Sequence, residues 1–573
     1  MRRRWFFLGA LFFCFWGLWV LEANPVELIP NQGGQKAAAD FVLSALHPAF
    51  DYEDSELQGG EISFLSKVLH ALWTTVKYAL VAMSLALVIG LIGGVLGSRA
   101  WWSESRFSLE VLRIGVRLIA TAARSVHELL WAILFLAAFG TSPLVAVLAM
   151  SLPYGGTLAK VFSELFDEAD GSAAEVIRAT GGSGLVAFFA GIMTRSLPDL
   201  ATYALYRLEC AIRSSAVLGF VGIPTMGYEI KTAFEDGHYR EIWTYVYVLL
   251  IVVVFFEWWG SRIRSFLSKG VTSPLSEEKD QSLTDLWKGR GRSTFLRASL
   301  VLIFLGMIAG WVTEDHWGAG VKWEQRVKNL ERFGEELVPY SVREAHGDWS
   351  QLTPWIESKM SGEGAEAVWR TFHLGTSSIL LAGAVSLVVI LASARTLASR
   401  APRGIRLGRG FLREAFGMFF RGSAMLARAM PEYILAFLLL QVFGPTICVL
   451  IFALAIHNGG ILVRLGAEVV DNTSSQASEV ILSQGGSRAS AFWSALLPAS
   501  FNRLILFLFY RWESCIREAT VLGMLGVSSL GFLISNAKTA FYYDEMILWV
   551  LLGAALVFVG DVSSDLVRGR LRR

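Results

Sequence analysis

The chain has 573 residues, of which 54% are apolar and only 17% charged, with a formal net charge of +2 and a mean hydropathy of +0.49. Soluble globular proteins carry about 25% charged residues, so this composition excludes an ordinary soluble protein and identifies a polytopic membrane protein. Several apolar runs of about 20 residues can each cross the hydrocarbon as a helix, and the strict alternation of outer-membrane strands is absent, which makes the fold class all-α. The net charge says little by itself, because in a membrane protein charge informs through its position along the chain. Cys14, Cys210, Cys448 and Cys515 are scattered in or beside apolar runs, with neither metal-ligand nor paired spacing, and receive no redox or metal role.

Arg2, Arg3 and Arg4 precede an apolar run from Trp5 to Leu21, which reads as a cleavable signal peptide or as an uncleaved first span with a cytoplasmic amino terminus. A comparable run, Phe295 to Trp311, opens the second half in mid-chain and favours the anchor. Residues 22–66 are predominantly acidic and are placed outside. A second span runs from Leu69 to Leu96, and Arg99, Arg106, Arg113 and Arg117 after it face the cytoplasm. Spans three and four lie near 115–139 and 142–163. The polar lead-in Glu164, Asp167, Glu168 and Asp170 is cytoplasmic by parity. Span five covers about 186–210, a Gly-rich non-helical stretch reaches about 240, and span six runs from Ile242 to Trp259.

This plan makes residues 1–260 a first repeat with an external insert at 22–66, and residues 261–293 a polar cytoplasmic linker containing Pro274. Residues 294–573 form a second repeat with an external insert at 313–368, inside which WEQRVKNLERF has the pattern of an amphipathic surface helix. The acid-free series Arg395, Arg400, Arg403, Arg406, Arg409 and Arg413 and the terminal RGRLRR both belong inside. About twelve transmembrane helices with both termini cytoplasmic satisfy the charge pattern. Two parallel six-helix repeats follow, related by a pseudo-two-fold along the membrane normal with a path between them.

The repeat is explicit in residues 175–222 and 479–526. Glu175, Gly181, Ser183, Tyr206, Arg207, Glu209, Arg213 and Gly222 match Glu479, Gly485, Ser487, Tyr510, Arg511, Glu513, Arg517 and Gly526, each at a shift of 304 positions, as from 175 to 479. A gapless match of charges, glycines and aromatics is an internal duplication. It contains no nucleophile and base pair, no His cluster and no Gly-x-x-x-x-Gly-Lys-Ser/Thr loop, so neither catalysis nor ATP binding is expected of this chain.

Each copy places a Glu-x-x-x-x-x-Gly turn on the cytoplasmic side between two spans: Glu175 with Gly181 and Gly182, and Glu479 with Gly485 and Gly486. This resembles the coupling segment of the permease subunits of ABC importers, whose pattern is Glu-Ala-Ala-x-x-x-Gly followed later by Ile-x-Leu-Pro. Copy two keeps the late Leu497-Pro498, copy one has Met193-Thr194, and neither has Ala-Ala after the Glu. Downstream, Leu205-Tyr206-Arg207-Leu208-Glu209 with Arg213 and Val217-Leu218-Gly219, and Phe509-Tyr510-Arg511-Trp512-Glu513 with Arg517 and Val521-Leu522-Gly523, look like the phosphonate-type permease family. Arg428, Pro431 and Glu432, matched by Arg124, His127 and Glu128, also resemble a family segment. Two permease domains are fused here where that family usually pairs two chains.

The resemblance implies a bacterial inner-membrane importer for phosphonate, phosphite, phosphate or a related oxyanion. Two separate ATP-binding cassette subunits would supply ATP and magnesium, and an external binding protein would deliver substrate. No cofactor in this chain and no nucleic-acid partner are expected; lipid is.

Physical reasoning adds a role for each residue. Gly181-Gly182 and Gly485-Gly486 allow a sharp, mobile bend, and Glu175 and Glu479 can cap a short helix or pair with partner cations. Arg213 and Arg517 close span five beside Gly222 and Gly526. Facing lipid would cost each about 2.5 to 3.5 kcal/mol, so they either meet an anion in the path or pair with Glu209 and Glu513 one turn earlier. Arg207 and Arg511 read as structural. His127, whose counterpart is Pro431, reads as a packing residue with no acid leading from it, and Lys77 as a residue that snorkels to head groups. Two other classes stay open: an ion-coupled secondary transporter, which should carry intramembrane acids, and a permease-like scaffold that transports nothing.

Overall fold

In a computed structural model of the chain, the described residues are 2–29, 32–58, 62–102, 107–271, 293–314, 317, 323–394, 407–474 and 476–572. Among them every regular element is helical. In chain order they are α1 (Arg2–Val20), α2 (Gln32–Ser44), α3 (Phe64–Gly97), α4 (Phe107–Ser125), α5 (Glu128–Phe139), α6 (Pro143–Glu168), α7 (Ser172–Ala179), α8 (Thr194–Val217), α9 (Met226–Glu235) and α10 (Tyr239–Val271). There follow α11 (Thr294–Val312), α12 (Trp323–Glu336), α13 (Ala365–Ser393), α14 (Leu407–Ala429), α15 (Glu432–Phe443), α16 (Ile447–Asp471), α17 (Gln476–Ser483), α18 (Leu497–Leu522), α19 (Leu530–Thr539) and α20 (Tyr543–Arg572).

Among the described residues, 9 helices are long and apolar enough to cross a membrane, or 11 if each of two bent pairs counts as one span. The bent pairs are α4–α5, turned by 89°, and α14–α15, turned by 97°. The span expected at 115–139 is therefore broken at Val126 and His127. At the break His127 leaves helical geometry, and its Nδ1 accepts from the Leu129 amide at 3.1 Å to start a new helix.

The unit formed by residues 48–331 is built on α3 and α6. Gly90 and Gly94 stand four residues apart on α3. A Cβ at Gly90 would come within 2.4 Å of Leu158, and one at Gly94 within 2.6 Å of Phe162, so the two helices meet backbone to side chain, as small residues permit in membranes. Gly156 of α6 lets α4 cross closely, since a Cβ there would lie 2.6 Å from the Ala120 carbonyl. The lead helix of this unit is α11, seated on α3 where Gly310 faces Val81 and Lys77. Lys77 Nζ meets the Glu314 carboxylate at 2.6 Å, so this lysine is paired within the protein.

The other unit joins residues 1–47 to 332–573. Here α13 packs on α16, and Gly460 repeats the role of Gly156, 2.6 Å from the Ala424 carbonyl. The lead helix is α1: Gly17 sits against Ser377 of α13, and Trp16 meets His373 edge to face with ring centroids 5.1 Å apart. Packing thus groups the chain differently from the sequence repeats. Each unit takes its lead helix from the opposite half of the sequence.

Two further expectations change. The Gly-rich stretch read as non-helical continues α8 to Val217, makes a 3-10 turn at Leu218–Val221 and forms α9. Its glycines serve close approach: a Cβ on Gly219 would lie 2.0 Å from the Tyr228 amide nitrogen. The linker begins as the last turns of α10, and residues 272–292 lie outside the described residues, as do Arg395, Arg400, Arg403 and Arg406. The amphipathic segment in the second insert is helical, as α12.

Candidate functional site

The two segments singled out by the duplication fold alike. Each is an 8-residue helix, α7 and α17, with Glu175 or Glu479 exposed in its first turn, where a carboxylate complements the positive helix end. Each ends in a Schellman cap. Gly181 takes φ +87° and Gly485 φ +83°, the Gly182 amide donates to the Ile177 carbonyl at 2.8 Å, and the Gly486 amide donates to the Ile481 carbonyl at 2.9 Å. The glycines therefore fix a turn by adopting a left-handed backbone, where the sequence had implied mobility. Ser183 and Ser487 then start the next helix by accepting from the Val186 and Ser490 amides. Val176 and Val480 are 63% and 54% exposed at equivalent positions, and Phe189 and Trp493, also equivalent, are half-exposed.

The two copies differ in how the short helix is anchored. Asp170 accepts from the Ser172 amide at 3.0 Å and forms an ion pair with Arg195, which also donates to the Asp170 carbonyl at 3.1 Å. The equivalent positions of copy two hold Ser474 and Ala499. The bonds from Ser172, then Arg195, hold the Asp170 carboxyl below its ordinary range.

The predicted path residues are placed as follows. Glu209 is buried and pairs with Arg264 of α10, reaching it across Gly260, which has no side chain to block the way. Arg213 Nη2 lies 3.3 Å from Cys210 Sγ. Glu513 is buried and Arg517 half-buried on α18. Gly222 and Gly526 both take φ +99°, closing 3-10 turns that a Cβ would strain. Just beyond, Thr75 Oγ1 accepts from the Met226 amide at 2.9 Å and Thr371 Oγ1 from the Leu530 amide at 3.0 Å, tying α9 to α3 and α19 to α13.

A cluster that the sequence reading passed over joins α6 to α8 and α16 to α18 at positions again 304 apart. In copy two, Arg511 donates to Asn458 Oδ1 at 2.9 and 2.6 Å and to Glu518 at 2.8 Å, and Asn458 Nδ2 donates to Glu518 at 2.9 Å. In copy one, Tyr154 stands for Asn458 and Ser214 for Glu518. The Tyr154 hydroxyl is 2.8 Å from Ser214 Oγ, which donates to Glu128, and Arg207 lies over the Tyr154 ring at 5.4 Å and the Tyr203 ring at 5.7 Å. A single carboxylate, Glu128 beside His127, thus joins the α4–α5 break to Tyr154 through Ser214. The signal was available, because the 304-residue shift extends upstream through these positions, but the residue types differ between copies and no motif marks them.

The model of the family described as "Binding-protein-dependent transport system inner membrane component" matches residues 86–272 and 401–573, together more than half of the chain. The chain belongs to this family: it is the membrane-spanning permease subunit of an ABC importer, in which a separate ATPase drives transport. The phosphate-import permease protein PhnE of Mycolicibacterium smegmatis is 25% identical over 456 residues, 79% of this chain and 77% of that protein. The phosphite transport system permease protein PtxC of Stutzerimonas stutzeri is 31% identical over 148 residues, 26% of this chain and 54% of its own length. The cryptic phosphonate transport system permease protein PhnE2 of Escherichia coli is 28% identical over 118 residues, 21% of this chain and 97% of that protein. No solved structure matches.

Proposed function

We propose that this chain is a fused, pseudo-dimeric permease that imports phosphonate, phosphite, phosphate or a related oxyanion across the bacterial inner membrane. Twelve spans form two parallel six-helix repeats with both termini cytoplasmic. Two ATPase subunits dock on α7 and α17, using Glu175 and Glu479 with the exposed valines beside them, and an external binding protein delivers the anion. ATP-driven closure of the ATPases shifts the two short helices and switches the path between outward and inward access. Each half takes part in transport through its own arginine, Arg213 or Arg517, beside its own turn at Gly222 or Gly526, with Glu209 or Glu513 one turn earlier on the same helix.

The observation that carries the reading is the identical construction of α7 and α17: same length, same first-turn glutamate, same Schellman cap, same exposed valine. A loop with no partner has no reason to keep all four in both copies. The test is the stoichiometry of ATPase co-purifying with the chain from its native membrane, against a Glu175→Lys, Glu479→Lys double variant. Two ATPases per chain, lost in the variant, is the expected result. A folded chain with no ATPase in either sample would refute the docking.

A further inference from the structure

Arg207 and Arg511 occupy equivalent positions in the duplication, yet only one of them is satisfied. Arg511 spends its donors on Asn458 and Glu518. Its twin has Ser214 where the carboxylate stands, and meets ring faces where Arg511 meets an amide. Among the described residues no carboxylate or carbonyl accepts from Arg207, and its buried Nε has no acceptor. Guanidinium is always charged and carries five N–H donors in one plane, and the Tyr154 and Tyr203 rings that lie 5.4 and 5.7 Å from it offer those donors no carboxylate or carbonyl oxygen. A charged group held this way among membrane helices is costly without an anion.

We propose that Arg207 is an oxyanion site: its guanidinium edge receives a phosphate-type group, bidentate, at the place that Glu518 fills in the other copy. The tyrosine rings hold the plane fixed so that little freedom is lost on binding. Glu128 is the nearby carboxylate, and its bond from Ser214, itself joined to Tyr154, engages it on the hydroxyl side of the cluster. The two halves are then chemically unequal, with one guanidinium open to ligand and one closed by the protein's own acid. This deepens the import reading by naming a residue for its substrate class, but it concerns binding to this chain alone and does not need the ATPase.

The test is modification by phenylglyoxal, an arginine-directed reagent, of the full-length chain in lipid nanodiscs, read arginine by arginine by peptide mass spectrometry. With zwitterionic lipid, inorganic phosphate at about ten times its dissociation constant should slow modification of Arg207 about tenfold and leave Arg511 unchanged. Nanodiscs containing phosphatidylglycerol, without free phosphate, form the second arm. Protection there alone would assign the same site to a lipid head group. Ser214→Glu should abolish protection by supplying the missing carboxylate. Because that variant crowds Glu128, the converse is made as well: Asn458→Tyr with Glu518→Ser should render Arg511 phosphate-protected. No protection of Arg207 by phosphate or by anionic lipid, or protection that survives Ser214→Glu, overturns the proposal. Protection in nanodiscs with no uptake by the assembled system would instead count against import while leaving the site intact.

Discussion

The imidazole of His457 lies 3.6 Å from the Glu432 carboxylate through Nε2, while its Nδ1 is 2.9 Å from the Met430 carbonyl. With Nδ1 donating to that carbonyl, the contact with Glu432 is attractive when a proton lies between the two. Copy one has His127 3.6 Å from Glu128, the counterpart of Glu432, but through Nδ1, which accepts from the Leu129 amide and so holds no proton for the carboxylate. The two histidines are not counterparts. His127 corresponds to Pro431 and His457 to Pro153, so each half brings one imidazole to the same glutamate from a different helix. What the halves share is an imidazole near this glutamate, through Nε2 in one and Nδ1 in the other.

Relocation can be imitated. His127→Pro should reduce uptake by the assembled system roughly threefold, the scale of a weak ion pair, and Pro153→His in the same chain should restore most of it. If His127 served only as a helix cap, Pro at 127 would be tolerated as Pro431 is, and neither change would matter. Uptake of labelled phosphate by cells carrying the parent chain and the two variants decides it.

Gly181→Ala or Gly485→Ala places a Cβ on a left-handed backbone and should cost about 1 to 2 kcal/mol locally. Hydrogen exchange of α7 or α17 should accelerate in the altered copy alone, with the spans unaffected. Equal exchange in both copies would show that the caps are not what holds the turns.

The anchoring of α7 by Asp170 should depend on pH. A carboxyl whose folded value is depressed contributes stability that is fully present above its unfolded value, near 4, and lost as pH falls through the folded one. After correction for intrinsic rates, exchange at residues 172–176 should rise below about pH 4, and Asp170→Asn should raise it at neutral pH. The equivalent segment 476–480 should show no such transition, because Ser474 and Ala499 cannot form the pair.

Lys77 and Glu314 have side chains only 9% and 12% exposed, so removing one partner strands the other's charge. Lys77→Met should destabilise the chain by about 3 kcal/mol, seen as a lower melting temperature in detergent, and adding Glu314→Leu should recover most of the loss. A double variant no better than the single would mean that the pair contributes little.

The parts of this fold legible in the sequence were those written in periodicity and repetition: helical spans, duplication, and the short helices at Glu175 and Glu479. The bend after Ser125 was not, because His127 and Glu128 are polar residues inside an apolar run, and only geometry distinguishes a break from a buried pair. The helix at Met226–Glu235 was hidden by Gly219 and Gly227, which look like loop residues and act as packing contacts. For Arg213 the sequence left open an anion in the path or Glu209 one turn earlier, and it could not register Arg264, which α10 brings to Glu209 across Gly260. Long-range partners of buried charges are set by which helices adjoin, and hydropathy is blind to that.

The lead helices also set an order of assembly. Of the two lead helices, α1 is made before its seat on α13 and waits in the membrane until residues 365–393 have been made, whereas α11 emerges to find α3 already in place. Early in synthesis, Gly17 and its neighbours are therefore a packing surface without a counterpart. Truncation or stalling before residue 365 should leave that helix to the quality-control proteases of the membrane, so completion of the second half protects the beginning of the first.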